Sequence, residues 1–262
     1  MTKAVGQVHP AVCRAVELIV KSLKNGGRLF FIGAGTSGRL GVLEAAECPP
    51  TFDTPPALIQ AIMAGGRQAV FHSREGAEDD VGEAGRQVSS RLRPGDVLAG
   101  IAASGVTPFV LSGIRAARRM RCKIILIACS PVPGLRRLAD VVIAPRTGPE
   151  AIAGSTRMKA GTATKMILNR LTTASMIRMG RVYLNCMVDL QPRSRKLYAR
   201  AVRLIQVLGK VRSPAQAAEY LRRADGKTKL AILMARRRLD RRRASELLKR
   251  CDGFLRPALQ SE

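Results

Sequence analysis

Two short segments of this chain carry hydroxyl side chains where a strand-like run gives way to a helix-like run. They follow "RLFFIGA" and "DVLAGIAA" and comprise Gly35, Thr36, Ser37 and Gly38 in the first segment and Ser104, Gly105 and Thr107 in the second. The start of a helix presents free N–H groups and the positive end of the helix dipole, so such turns bind anions well. Ser and Thr hydroxyls add uncharged donors. Together the two segments predict a site for a phosphate or a sugar phosphate.

Neither segment has the pattern of a common nucleotide-binding loop. No Lys follows the glycines of the first segment, so it is not a Walker P-loop, and its hydroxyls are not needed in a dinucleotide fingerprint. Taken singly, each segment could also be a tight turn that only allows a helix to pack closely. The repetition of the arrangement at two strand ends favours the binding interpretation.

Acidic residues follow the first segment along the chain. Glu47 ends the helix that starts in the first segment, directly before Cys48-Pro49-Pro50, where an acid opposes the helix dipole. Glu78 lies in a short acidic run with Glu75, Asp79 and Asp80. Taken from the residues alone, solvent-exposed surface charges explain both positions better than a chemical role does.

The elements that must position these residues follow from the spacing of apolar residues. Short apolar runs alternate with helical patterns and predict an α/β fold with five strands within residues 28–145, in a parallel sheet. Loops at the carboxyl ends of neighbouring strands then meet in one crevice. A long amphipathic helix follows in "TRMKAGTATKMILNRLTTASMIRMG", and the chain beyond Asp189 is helical in pattern. We expect one domain over residues 1–210 and a small helical domain over 211–262.

Composition restricts the classes of protein that this chain could be. It has 262 residues, is 46% hydrophobic and only 3% aromatic, so an aliphatic core is expected. No stretch has the roughly 20 apolar residues of a membrane span, and the six scattered cysteines lack zinc-site spacing. The formal charge of +26 invites a nucleic-acid interpretation. The arginines are spread along the chain without interleaved aromatics, however, so nucleic-acid binding is not favoured outside residues 235–250.

Five blocks in order along the chain resemble the N-acetylmuramic acid 6-phosphate etherases, a family with the sugar-isomerase (SIS) fold that is distantly related to glucokinase regulatory protein. The blocks are "GAGTSGRLGVLEAAECPPTF", "REGAEDD", "GIAASGVTPFV", "GPEAIAGSTRMKAGTATKMILNRL" and "GRVYLNCMVD". The resemblance extends from about residue 11 into the C-terminal helices. It implies a five-stranded SIS sheet, a small UBA-like C-terminal domain, and cytoplasmic cleavage of a lactyl ether by water during recycling of cell-wall sugars. It also implies a homodimer, with no metal and no other cofactor.

The resemblance gives roles to individual residues. Glu47 in "AAECPP" would be the acid that assists departure of lactate, and Glu78 in "EGAED" would be the base that removes a proton from C2. The hydroxyl loops would hold the 6-phosphate. Glu150 would contact sugar hydroxyls or assist ring opening, and Lys159 would contact an anionic group. A helix-start acid and a solvated lysine explain these two residues equally well.

The chain departs from the family pattern at three positions within the blocks. Val106 replaces the arginine of "ASGRTP", Ser130 replaces an asparagine in "CNP", and Leu184 replaces a glycine in "KVYGN". An arginine in the second loop could bind a carboxylate or phosphate with two parallel hydrogen bonds, which valine cannot. A sugar-phosphate sensor without catalytic activity is therefore an alternative to the enzyme, and a nucleic-acid-binding protein is a further one.

Overall fold

The central sheet consists of five parallel strands in the order β2-β1-β3-β4-β5. In the computed structural model, which describes residues 1–130, 134 and 137–261, the strands are β1 (Leu29–Gly33), β2 (Ile59–Met63), β3 (Val97–Ile101), β4 (Lys123–Ile127) and β5 (Val141–Ile143). Every residue of β1 and β3 is buried, as expected for parallel strands covered on both faces by helices. The structure confirms the predicted α/β fold with its five-stranded parallel sheet.

Helices connect and cover these strands. They are α1 (Thr2–Gln7), α2 (His9–Lys24), α3 (Gly35–Phe52), α4 (Gln68–Phe71), α5 (Val81–Arg91), α6 (Pro108–Arg119) and α7 (Lys159–Arg178), with a 3-10 turn at Ala77–Asp79. The sequence analysis predicted α3 and α6 after the two hydroxyl segments and the long helix α7, but not the short helices α1 and α4. One face of the sheet and its helices share a core that includes Phe30, Ile32, Leu98, Phe109 and Ile114.

A buried ion pair fixes the amino ends of β1 and β3 beside each other. The side chain of Asp96 is fully buried and accepts hydrogen bonds from the backbone N–H groups of Arg28 and Arg93, each at 2.9 Å. The guanidinium of Arg28 donates to the same carboxylate at 2.6 Å and lies 4.9 Å from the centre of the Phe30 ring. Because this pair is at the amino ends of the strands, it stabilises the sheet at the edge opposite the hydroxyl loops.

Packing divides the described chain into two compact units. The first comprises Met1–Glu47 and Pro55–Ser175, and the second comprises Cys48–Thr54 and Met176–Glu262. The second unit contains the hairpin β6 (Val182–Tyr183) and β7 (Cys186–Met187), followed by helices α8 (Arg195–Gly209), α9 (Pro214–Arg223), α10 (Thr228–Arg237), α11 (Arg241–Arg250) and α12 (Leu255–Gln260). The second unit begins before the boundary expected near residue 210. Helix α8 belongs to it, because Ile205 of α8 shares a core with Leu230 and Leu233 of α10.

The second unit has a buried charged cluster of its own. The Nζ of Lys229 lies 2.7 Å from the Asp189 carboxylate, and Arg181 lies 3.6 Å from the same carboxylate. At the turn of the hairpin, Leu184 has a φ of 55°, a left-handed conformation that favours glycine. No helix in the described part of the chain is long and apolar enough to cross a membrane.

Candidate active site

The two hydroxyl loops meet at a cleft in the first unit. Strands β1 and β3 are neighbours in the sheet. Strand β2 lies on one side of β1, and strands β3 to β5 follow on the other side, so the strand order reverses between β1 and β3. Ligands bind at such a reversal point in open α/β sheets. The cleft has a volume of about 350 Å³, and its lining includes predicted binding residues Gly35, Thr36, Ser37, Ser104 and Thr107, together with Glu78. Sites for small ligands commonly occupy about 300–1,000 Å³, so the cleft is large enough for a sugar phosphate.

The first loop is built so that helix α3 begins directly at the end of β1. Gly35 adopts a φ of 52°, and Thr36 and Ser37 follow in the first turn of the helix. A Cβ on Gly38 would lie 2.3 Å from the sulfur of Met63 and 2.5 Å from the carbonyl oxygen of Gly33. Gly38 therefore allows close packing of the helix on the sheet, and it is not among the residues lining the cleft.

The second loop presents its hydroxyls in a similar turn. Gly105 has a φ of 80°, and its N–H donates to Ala102 at 2.8 Å. The N–H of Val106 donates to the Ser104 hydroxyl oxygen at 3.3 Å. Thr107 precedes Pro108, the first residue of α6, and its side chain makes no capping hydrogen bond. The Thr107 hydroxyl is therefore available to a ligand, while Gly105 shapes the turn without lining the cleft.

Two arginines that the sequence analysis did not identify also line the cleft. They are Arg39, one turn along α3 from Thr36, and Arg74, in the segment before the 3-10 turn. The Nε of Arg39 donates to the carbonyl oxygen of Val70 at 2.9 Å. Arg39 could have been recognised from its helical spacing to Thr36, whereas Arg74 reaches the cleft through the course of its loop. The cleft thus contains cations beside the Glu78 carboxylate.

Glu47 does not line the cleft. It is exposed on α3, twelve residues after Gly35, which places it about 18 Å along the helix axis at 1.5 Å per residue. One turn before it, Glu44 is buried and accepts a hydrogen bond from the Thr172 hydroxyl. Burial raises the pKa of the Glu44 carboxyl, and the Thr172 hydrogen bond and the charge of Lys165 partly offset that rise.

Glu150 and Lys159 also lie outside the cleft lining. The Glu150 carboxylate accepts the backbone N–H groups of Lys159 at 2.8 Å and Ala160 at 2.9 Å, so it caps the start of α7. These hydrogen bonds, led by the one from Ala160, lower the pKa of Glu150. The Nζ of Lys159 donates to the carbonyl oxygen of Pro149 at 2.7 Å. Their contacts in the structure hold the helix start in place, and their contact with sugar stays a prediction.

A parallel sheet that ends in two hydroxyl loops over one cleft is the architecture of sugar-phosphate-binding SIS domains. The N-terminal SIS domain of glucokinase regulatory protein matches residues 11–118. A phosphoheptose isomerase from Francisella tularensis shares the fold with a TM-score of 0.50 and 20% identity, over 68% of this chain and 90% of that protein.

Closer relatives are N-acetylmuramic acid 6-phosphate etherases. The protein of that name from Symbiobacterium thermophilum is 52% identical over 231 residues, which are 88% of this chain and 76% of the relative. The one from Clostridioides difficile is 46% identical over 260 residues, which are 98% of this chain and 85% of the relative. The chain belongs to the N-acetylmuramic acid 6-phosphate etherase family.

Proposed function

We propose that this protein uses water to cleave the lactyl ether of N-acetylmuramic acid 6-phosphate, giving N-acetylglucosamine 6-phosphate and D-lactate. The observation that carries the proposal is the cleft of the first unit, where both hydroxyl loops and the Glu78 carboxylate line one space of sugar-phosphate size. The identity of 52% to an etherase over most of the chain supports the same activity. We assign the reaction to the cytoplasm, because a phosphorylated sugar does not cross a membrane unaided.

The reaction follows from the acidity of one proton in the open-chain sugar. An ether oxygen is a poor leaving group, but opening the sugar ring to its aldehyde makes the C2 proton acidic. A base removes that proton, the C3–O bond breaks, and an acid protonates the departing lactate oxygen. Water then adds to C3 of the unsaturated aldehyde, and C2 is protonated again. Each positioned proton transfer of this kind contributes about 10²–10⁴-fold to the rate.

The hydroxyl loops hold the 6-phosphate in this proposal. The first turns of α3 and α6 start at the two loops, so their free N–H groups and dipoles favour an anion at the cleft. Ser37 and Ser104 donate their hydroxyls to the phosphate oxygens. Phosphate bound there places the sugar carbons over the cleft, where Glu78 can act as the base at C2.

Glu47 acts as the acid, and its position requires that it come from a second copy of the chain. The phosphorus and the ether oxygen of one hexose are joined by a chain of bonds that spans at most about 9 Å at roughly 1.5 Å per bond. Glu47 lies about 18 Å from the phosphate end of its own α3. A substrate held by one copy's loops therefore does not reach that copy's Glu47.

Exposed apolar residues on the first unit support a pairing of two copies. Leu43 lies one turn before Glu47 on α3 and is 44% exposed. Three more apolar residues lie close in sequence to residues that line the cleft. Their side chains are 77% exposed at Phe71, 54% at Val106 and 60% at Ile152. A patch of large exposed apolar side chains is typical of protein–protein contacts. We propose a homodimer in which the α3 face of one copy covers the cleft of the other and brings Glu47 to the substrate.

Incubation of the purified protein with N-acetylmuramic acid 6-phosphate tests the function, with D-lactate measured enzymatically. We expect lactate release that is lost in the Glu47→Gln, Glu78→Gln double variant. Release no faster than in that variant contradicts the proposal. Calorimetric binding of the sugar phosphate without turnover would instead favour the sensor function.

A further inference from the structure

We propose that Arg74 binds the carboxylate of the lactyl group and so selects substrates that carry this leaving group. The inference rests on the proposed function of the cleft and specifies how the cleft recognises its substrate. It makes Arg74 a specificity-determining residue.

The substrate has two anionic groups of different shape. The phosphate is accounted for by neutral donors, namely the hydroxyls and the helix N-terminal amides of the two loops. The lactyl carboxylate is planar, and a guanidinium matches it with two parallel hydrogen bonds. A cleft that distinguishes the lactyl ether from the product sugar phosphate therefore needs an arginine free to face the substrate.

Arg74 meets this requirement. It lines the same cleft as Ser37, Ser104 and Glu78, and its guanidinium has no hydrogen bond or ion pair with any residue that the structure describes. Arg39, which also lines the cleft, already uses its Nε to donate to the carbonyl oxygen of Val70, so part of its guanidinium is engaged. A guanidinium without a partner in a ligand-sized cleft is available to a carboxylate.

Arg74 is exposed, and the Cδ end of its stem lies beside Gly65. A Cβ on Gly65 would lie 3.1 Å from the Cδ of Arg74 and 3.0 Å from the Cβ of Ala69. The absence of a side chain at Gly65, whose φ is 77°, thus makes room for the arginine stem against the loop.

Among the described residues, the second hydroxyl loop offers no replacement for this cation. Val106 occupies the position in the second loop where the family resemblance leads us to expect an arginine, and its side chain is exposed and apolar. The chain therefore has a guanidinium on the loop before the 3-10 turn and none in the second hydroxyl loop.

The test compares two ligands that differ in the lactyl group. N-acetylmuramic acid 6-phosphate carries it, and N-acetylglucosamine 6-phosphate carries only the phosphate. Binding is measured by calorimetry in a Glu47→Gln background, which should not release lactate and so leaves the first ligand intact. Adding Arg74→Val to that background should raise the Kd of the first ligand about ten- to a hundred-fold, because a charge-assisted hydrogen-bond pair is lost. The Kd of the second ligand should change less than about twofold, within the effect of an exposed surface change.

Two further variants make the result interpretable. Arg74→Lys keeps the positive charge but not the planar guanidinium. It should therefore retain part of the preference for the ligand that carries the lactyl group. If Arg74→Val does not fold, the binding of the lysine variant decides the question. Arg119→Val removes an exposed arginine on α6 and should alter neither affinity. Equal weakening of both ligands, or no change in either, overturns the proposal. Absence of lactate release by the unaltered protein refutes the proposed function instead, and the binding comparison still decides the role of Arg74.

Discussion

The separation of Glu47 from the cleft leads to a complementation experiment with a calculable result. Glu47→Gln and Glu78→Gln each remove one proton-transfer group, so each variant alone should lose nearly all lactate release. In a symmetric dimer with sites shared between copies, a mixed dimer has one site with both carboxylates and one site with neither. When equal amounts of the two variants assort at random, about half of the dimers are mixed. Each mixed dimer has one intact site of two, so the mixture should show about a quarter of the activity of the unaltered protein.

Co-expression of the two variants with different affinity tags allows the mixed dimer to be purified and assayed directly. Its expected activity is about half that of the unaltered dimer, since one of its two sites is intact. The control is co-expression of Glu78→Gln with a second tagged copy of itself, which should remain inactive. If the purified mixed dimer is as inactive as its parents, both carboxylates act within one copy and the shared site is wrong.

Other parts of the structure give predictions of their own. Ser37→Ala should raise KM about ten- to a hundred-fold, because a hydrogen bond to a charged group contributes about 1.5–3 kcal/mol; an unchanged KM in steady-state assays would exclude phosphate contact. Asp96→Ala leaves the guanidinium of Arg28 without its buried partner, so urea unfolding should show a loss of about 3 kcal/mol; a loss below about 1 kcal/mol would contradict the role of the pair. Leu184→Gly relieves a left-handed conformation and should stabilise the protein by up to about 1 kcal/mol in the same assay, whereas clear destabilisation would refute the strain. Hydrogen bonds hold the pKa of Glu150 below its ordinary value of 4.5. The stabilisation by the ionised Glu150 should therefore be complete above pH 4.5 and disappear as the pH falls through the lowered pKa. The denaturant midpoints of the protein and of Glu150→Gln should converge in acid, and a constant difference between them would contradict the capping role.

The sequence predicted the sheet well because each strand is a short apolar run bounded by small or charged residues. β1 and β3 are buried on both faces, so their pattern is continuous and easily distinguished from the helices beside them. The hydroxyl loops were also predictable, because a strand followed at once by a helix places its connecting turn at the carboxyl edge of the sheet.

Long-range contacts were not predictable in the same way. Arg74 belongs to the loop between α4 and the 3-10 turn, whose residues line the cleft, and no periodicity of the sequence encodes the course of that loop. Glu150 resembles a surface acid in sequence, but it caps α7 from nine residues before Lys159. The position of Glu47 along α3 follows from simple helix geometry, yet its consequence for the site appears only when the cleft is located.

The most direct measurement of the central claim is the isotopic composition of the product formed in heavy water. Elimination through C2 followed by addition of water requires solvent hydrogen at C2 and solvent oxygen at C3 of N-acetylglucosamine 6-phosphate. Reaction in deuterium oxide enriched in oxygen-18, followed by NMR and mass spectrometry, should show both labels in step with D-lactate release, and the lactate oxygen should be unlabelled. Lactate release with C2 still carrying its original hydrogen, or with labelled oxygen in the lactate, would contradict the elimination proposed for this cleft.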